Sequence, residues 1–325
     1  PPNTRSHMPA STVLGSHICV SDLTRRRFVV GTAAFSGLFA AGCARSAGTE
    51  GDSAGMRTVT TSLGTYDIPV TPKRVVAIDS RLDLEPAVAM GLPVIAYSFD
   101  AAEPWVPADP TAQVFEAPVN VEAILALEPD LIICTDIGEA SDMWPLQQLS
   151  QTAPVLPMDF TRPWRENIDQ LASWLNRTEN PDVRQVIGAY EDKAAGLKER
   201  HAPSLASKQI VLLNYVNQKV NGVNRKGIST QVAEDLGVQL QWPVEGQKEI
   251  STENLVTALD SADGMIVTTP PGVDPVSHDR AMWNRIRAVQ GDNVVYTGGN
   301  INYGSVYTAM RTLDYFDDLF TRLEN

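Results

Sequence analysis

The stretch Asn120-Val-Glu-Ala-Ile-Leu-Ala-Leu-Glu-Pro-Asp-Leu-Ile-Ile133 holds one unit of fold in 14 residues. It has a glutamate, Glu122, near a helix start, a short amphipathic helix, an aspartate, and then an apolar run of the kind that forms a buried strand. The same features return in order in Thr252-Glu-Asn-Leu-Val-Thr-Ala-Leu-Asp-Ser-Ala-Asp-Gly-Met-Ile-Val267. As sequence identity the echo is weak. As architecture it predicts two similar lobes.

Outward from these two units, four short apolar runs occupy the first half: Arg74–Ser80, Pro93–Ser98, Asp130–Thr135 and Pro154–Asp159. Four more occupy the second: Gln209–Tyr215, Val238–Trp242, Gly264–Thr269 and Asn293–Thr297. Segments with helical spacing lie between them, so the fold class is α/β, two Rossmann-like lobes with mainly parallel sheets. Between the halves, Pro181 suits a first helical position, and Val183, Val186, Ile187, Tyr190, Ala194 and Leu197 form one apolar stripe. A helix of about 20 residues spans about 30 Å, enough to join two lobes as a strut with a ligand cleft between them. The expected division is a lobe over 56–163, a helical connector over 164–204 with its bridging helix at about 181–201, and a lobe over 205–325.

The first 55 residues read as an address. Arg25-Arg26-Arg27-Phe28 precedes an apolar, small-residue run to Ala41, then Gly42-Cys43. A basic segment, a short apolar core and small residues before a cysteine describe an export signal over 1–42. The paired arginines resemble the twin-arginine pattern, and Ala40-Ala41-Gly42-Cys43 resembles a bacterial lipoprotein box with Cys43 as the lipidated residue. Residues 43–55, rich in Ala, Gly and Ser, suit a flexible tether. The expected location is the cell envelope, anchored by lipid to the outer face of the cytoplasmic membrane or periplasmic.

Composition narrows the function. The 325 residues carry a formal charge of −13, and without the first 42 residues 22 basic side chains face 38 acidic ones. So acidic a surface repels phosphate backbones and argues against nucleic acid. Without the signal, Cys43 and Cys134 are the two cysteines left, too few for a disulfide framework. There is no Walker loop, no Gly-x-Gly-x-x-Gly after a strand and no Gly-x-Ser-x-Gly elbow. The four histidines, His7, His17, His201 and His278, are scattered and make no metal cluster. A binding protein is expected rather than an enzyme, with no cofactor and as a monomer; an envelope enzyme using a carboxylate pair in the cleft is the alternative.

Pro72-Lys-Arg-Val-Val-Ala77, the Leu84–Pro93 segment ending Met90-Gly-Leu-Pro93, and Asn120–Ile133 together resemble the iron–siderophore-type solute-binding proteins of bacterial ABC importers, a class that includes haem and cobalamin binders. The resemblance runs from about Val59 to Leu323. It implies two α/β lobes joined by one long helix, little hinge closure, a ferric siderophore as ligand and an importer permease as partner. Iron would enter only as part of the chelate. It also implies that Glu122 and Glu253, one on each lobe, meet permease arginines; a helix-dipole role at a helix start is the local alternative.

In open α/β sheets ligands bind beyond the carboxyl ends of the strands. That rule nominates Arg81, Tyr97, Trp105 and Arg162 in the first lobe, and Tyr215, Arg225, Trp242 and Tyr303 in the second. Aromatic rings and a few arginines suit a bulky, partly apolar chelate wrapped in oxygens. Tyr97 and Tyr215 end apolar runs and fit a core role equally well. Haem would favour an axial tyrosine, which Tyr215 or Tyr303 could supply. The acidic field favours neutral or cationic trihydroxamate complexes over anionic catecholates.

Overall fold

Each of the eight apolar runs contains a strand. The structure, a computed structural model, describes residues 55–151, 153–273 and 280–325. The export signal, Cys43, the tether up to residue 54 and His278 lie outside the described residues.

In chain order, a hairpin of β1 (Met56–Thr61) and β2 (Gly64–Pro69) comes first. The first lobe follows with β3 (Val75–Ala77), α1 (Leu84–Ala89), β4 (Val94–Phe99), β5 (Gln113–Glu116), α2 (Val121–Leu125), β6 (Leu131–Asp136), α3 (Leu146–Leu149) and β7 (Val155–Asp159). Helices α4 (Trp164–Trp174), α5 (Pro181–Arg200) and α6 (Ala202–Ser207) lead to the second lobe. There come β8 (Gln209–Val216), β9 (Lys219–Gly222), α7 (Ile228–Leu236) and β10 (Gln239–Gln241). A 3-10 turn at Thr252–Asn254 then runs into α8 (Leu255–Leu259), and β11 (Gly264–Thr268), α9 (Arg280–Trp283), α10 (Arg287–Gln290), β12 (Val294–Tyr296) and α11 (Val306–Leu323) complete the chain.

The first sheet has the order β5-β4-β3-β6-β7 with every pair parallel. The second has the order β10-β8-β11-β12, also parallel, with β9 folding back antiparallel on the end of β8 beyond β10. Thus β3 corresponds to β8, β4 to β10, β6 to β11 and β7 to β12. The two echoed units, α2 with β6 and α8 with β11, occupy equivalent places.

Alternation along the strands divides the apolar residues between cores. Val75, Ala77, Leu131, Ile133, Ile210, Leu212 and Ile266 face an inner core shared by both sheets. Their neighbours Val76, Ile132 and Cys134 face an outer core of the first lobe. Val211, Leu213 and Met265 face the corresponding outer core of the second. Cys134 is a buried free thiol, pushed up in pKa by burial and then by nearby carboxylates, as an inert core residue should be.

Helix α5 is capped by Asn180, whose side chain accepts the Asp182 amide at 2.7 Å, and Pro181 opens it. Val183, Tyr190, Ala194 and Leu197 are its buried stripe. It packs against α1 of the first lobe, α7 of the second, and along α11. The segment between the sheets is therefore three helices in succession, with α5 the long one. Helix α7 ends at Gly237 with φ of 76°, a left-handed cap that glycine takes without a Cβ clash. No helix among the described residues is long and apolar enough to cross a membrane.

Candidate functional site

Parallel strands deliver their carboxyl ends, and the loops after them, to one edge of each sheet. Arg81 follows β3, Phe99 ends β4, Trp144 lies in the loop after β6, and Phe160 follows β7. From the second lobe, Tyr303 stands in the loop between β12 and α11. These five side chains form a closed circuit. Phe99 and Trp144 stack at 6.1 Å between centroids, Trp144 and Phe160 meet at 6.2 Å, and Phe160 and Tyr303 at 5.7 Å. The Arg81 guanidinium closes the ring, 4.1 Å from the Phe99 centroid and 5.2 Å from that of Tyr303. Phe99 has φ of 88°, a backbone position rare for a bulky side chain and one that surrounding structure must hold in place.

A carboxylate fixes the guanidinium. Asp79, fully buried, accepts from Arg81 Nε at 3.1 Å and Nη2 at 3.0 Å, and from Trp144 Nε1 at 3.3 Å. Beside it Asp83 accepts the amides of Asp79 and Thr135 and the Thr135 hydroxyl. Burial, followed by the charge of Asp79, pushes the Asp83 carboxyl well above the ordinary range.

Tyr303 also borders a cleft of about 680 Å³ between the lobes. Its walls are the Asp100–Pro104 segment of the first lobe and, from the second, Asn214, Tyr215, Thr268, Thr269, Asn300 and Asn302, among others. Asn302 donates to Asn214 Oδ1 at 2.5 Å, which sets the polar floor. The lobes meet at its side, where the Asn300 amide donates to Glu103 at 2.9 Å. Burial raises the Glu103 pKa against this hydrogen bond and the opposing charge of Arg81. Gly299 permits this meeting, because a Cβ there would strike the Trp105 ring and the Glu103 carboxylate.

Of the residues nominated from sequence, Arg81, Tyr215 and Tyr303 come together at this edge. Arg162 lines a small cavity on the other side of Tyr303, with Lys226 across it, and lies 3.9 Å from Asp159. Trp105 is half-buried and donates to Thr308 Oγ1 at 3.0 Å, so it joins the lobes behind the cleft. Tyr97 is in the inner core, 6% exposed, its hydroxyl accepting the Ala102 amide. Arg225 and Trp242 stand apart as a cation–π pair at 4.6 Å, and Trp242, expected to face the cleft, is half-buried against the inner core. Glu122 and Glu253 are exposed in the first turns of their helices. Trp144, Phe160 and the buried amides Asn214 and Asn302 escaped the sequence reading. The carboxyl-end rule applied to the loops after β6 and β7 would have reached the first two.

A family model described as periplasmic binding protein matches residues 106–300, more than half of the chain. The chain belongs to the periplasmic binding protein family. Among curated proteins it is 30% identical over 164 residues to the probable siderophore-binding lipoprotein YfiY of Bacillus subtilis, a match covering 48% of this chain. The chain spans about half the length of that relative, 49%. Among solved structures it is similar to a periplasmic solute binding protein from Mycobacterium smegmatis, with 23% identity, a TM-score of 0.67, and coverage of 83% of this chain and 99% of that one. It is also similar to a FhuD fold-family protein of Bacillus subtilis, a periplasmic binding protein component of a Fep/Fec-like ferrichrome ABC transporter. That pair shares 17% identity and a TM-score of 0.67, over 81% of this chain and 99% of the other. At such identities the structural likeness speaks for the fold, the two-lobed α/β architecture. The family is one of binding proteins, and no group of metal-ligating side chains occurs among the described residues.

Proposed function

We propose that this protein captures a ferric siderophore, a trihydroxamate complex by preference, between its lobes and delivers it to an ABC importer permease. The observation that carries this reading is the aromatic circuit closed by Arg81 at the edge of the interlobe cleft. Rings supply apolar faces for an organic scaffold, and a guanidinium donates to chelating oxygens. The relatives described as siderophore-binding and as part of a ferrichrome transporter support the same ligand class. The cleft wall supports the trihydroxamate, since among the described residues it carries Asp100 and Glu103 and no basic side chain. A trianionic catecholate complex would meet that field unpaired.

Titration of intrinsic fluorescence with a ferric trihydroxamate, a ferric tris-catecholate, haem and cobalamin tests the reading. Saturable quenching is expected, tightest for the trihydroxamate, and Trp144→Phe is expected to remove most of it. Arg81→Ala and Tyr303→Ala are each expected to weaken binding about fivefold or more, the usual cost of truncating a central anchor. Tighter binding of haem or cobalamin, or no binding of any ferric complex, would overturn it.

Membrane attachment through Cys43 belongs to the same proposal. Cys43→Ala is expected to move the protein from the membrane to the soluble fraction in cells. Unchanged attachment would remove the lipid anchor while leaving ligand capture intact.

A further inference from the structure

We infer that Asp79 sets the charge preference of the cleft: it pins the Arg81 guanidinium and cancels its charge, so that the site selects chelates without net negative charge. The inference rests on the reading of the cleft as a ferric-chelate site. Asp79 grips Arg81 with both oxygens, through Nε to Oδ1 and Nη2 to Oδ2, a two-pronged geometry that fixes the plane of the guanidinium. Its central carbon so held lies 4.1 Å from the Phe99 centroid and 5.2 Å from that of Tyr303. The same Oδ2 accepts the Trp144 indole, so one carboxylate orients two members of the circuit. The Arg81 side chain is 13% exposed and Asp79 is 0% exposed, so the pair acts in a medium where water screens little.

Asp83 spends its oxygens on the Asp79 amide and on the Thr135 amide and hydroxyl, so the carboxylate that reaches the Arg81 guanidinium is that of Asp79. The Nε–Nη2 edge is spent on that pair, and no described residue accepts from Nη1, which leaves it for a ligand oxygen. Arg81 thus acts as an oriented hydrogen-bond donor whose charge is already balanced. Among the described residues, the lining of the cleft of about 680 Å³ carries no basic side chain of its own.

The test measures binding of ferrichrome, a neutral ferric trihydroxamate, and of ferric enterobactin, a trianionic tris-catecholate, to the mature protein and its Asp79→Asn and Asp79→Glu variants. Asparagine removes the charge, and its amide opposes the guanidinium. The ratio of catecholate to trihydroxamate affinity is expected to rise at least tenfold in Asp79→Asn. In Asp79→Glu, which keeps the charge, it is expected to stay within threefold of the parent. A ratio unchanged in Asp79→Asn overturns the inference. Labelling of Arg81 by phenylglyoxal, read by mass spectrometry, is the arm that needs no ligand. It is expected to quicken at least tenfold in Asp79→Asn. Should the parent bind neither complex, the siderophore reading fails on its own, and an unchanged labelling rate then overturns the role of Asp79 as well. If Asp79→Asn does not fold, Asp79→Ser replaces it; failure of both to fold overturns the inference by making the carboxylate structural.

Discussion

Reversal of both Glu122 and Glu253 to lysine is expected to abolish ligand uptake in cells while leaving ligand binding in solution intact. Both glutamates are exposed, and both stand in the first turn of the helix that leads into a central strand, β6 or β11. A helix preceding a parallel strand runs antiparallel to it, so its start lies at the carboxyl edge of the sheet. Each lobe therefore presents one carboxylate on the side of the molecule where the cleft opens. If permease arginines receive them, lysine sets like charges face to face, which costs several kcal/mol. Each lobe supplies its own contact, so the double variant is expected to fail more severely than either single one. The helix-dipole alternative predicts a smaller effect of another kind. Asn120 already caps α2 by accepting the Ala123 amide at 3.2 Å, and loss of a first-turn carboxylate costs about 0.3–1 kcal/mol of stability. Normal uptake by a double reversal expressed at parental levels would sink the docking assignment.

Acidification from pH 8 to pH 4.5 is expected to stabilise the parent by about 3 kcal/mol more than it stabilises Glu85→Gln. Glu85 in α1 is fully buried and reaches across to α11, where its carboxylate accepts the Ser305 amide at 2.9 Å, the Thr308 amide at 3.0 Å and the Thr308 hydroxyl at 2.5 Å. It takes the place of a cap, because the Ser305 side chain makes no cap bond and its hydroxyl has no partner. Burial nevertheless outweighs these bonds and lifts the Glu85 pKa from 4.5 to about 7. The folded state thus binds the proton more tightly than the unfolded chain. Below pH 4.5 both states are protonated and the stabilisation is fully present; it is lost as pH rises through about 7. Glutamine keeps the shape without the charge. Chemical denaturation of parent and variant across this range measures the difference. Parallel curves would show that Glu85 titrates alike in the folded and unfolded chain.

The Glu85 contact also shows where sequence reading stops. Glu85 lies inside a short helical segment with an apolar face, and nothing in its neighbours signals a partner 220 residues away. Tyr97 and Tyr215 illustrate the same limit. Each ends an apolar run, yet Tyr97 points into the inner core while Tyr215 belongs both to the outer core of its lobe and to the cleft wall. The edge strand β5, mostly exposed, and the short return strand β9 lack the continuous apolar runs that mark their neighbours.

The periodicity of the chain by itself determined the eight strands that lie in apolar runs, the long helix from Pro181, the doubling of the α/β unit, and the equivalence of Glu122 and Glu253. These follow from local rules, since a strand buried on both faces must be apolar throughout and a helix must carry its stripe. Only the tertiary structure decided that Arg81, Phe99, Trp144, Phe160 and Tyr303 close one circuit, that Asp79 holds its cation, and that Arg225 and Trp242 pair elsewhere. The physical reason is that a loop side chain's neighbours depend on where the other lobe lies. That position is set by the shared inner core and by partly buried polar bonds between residues about 200 positions apart, such as Glu103 with Asn300 and Trp105 with Thr308.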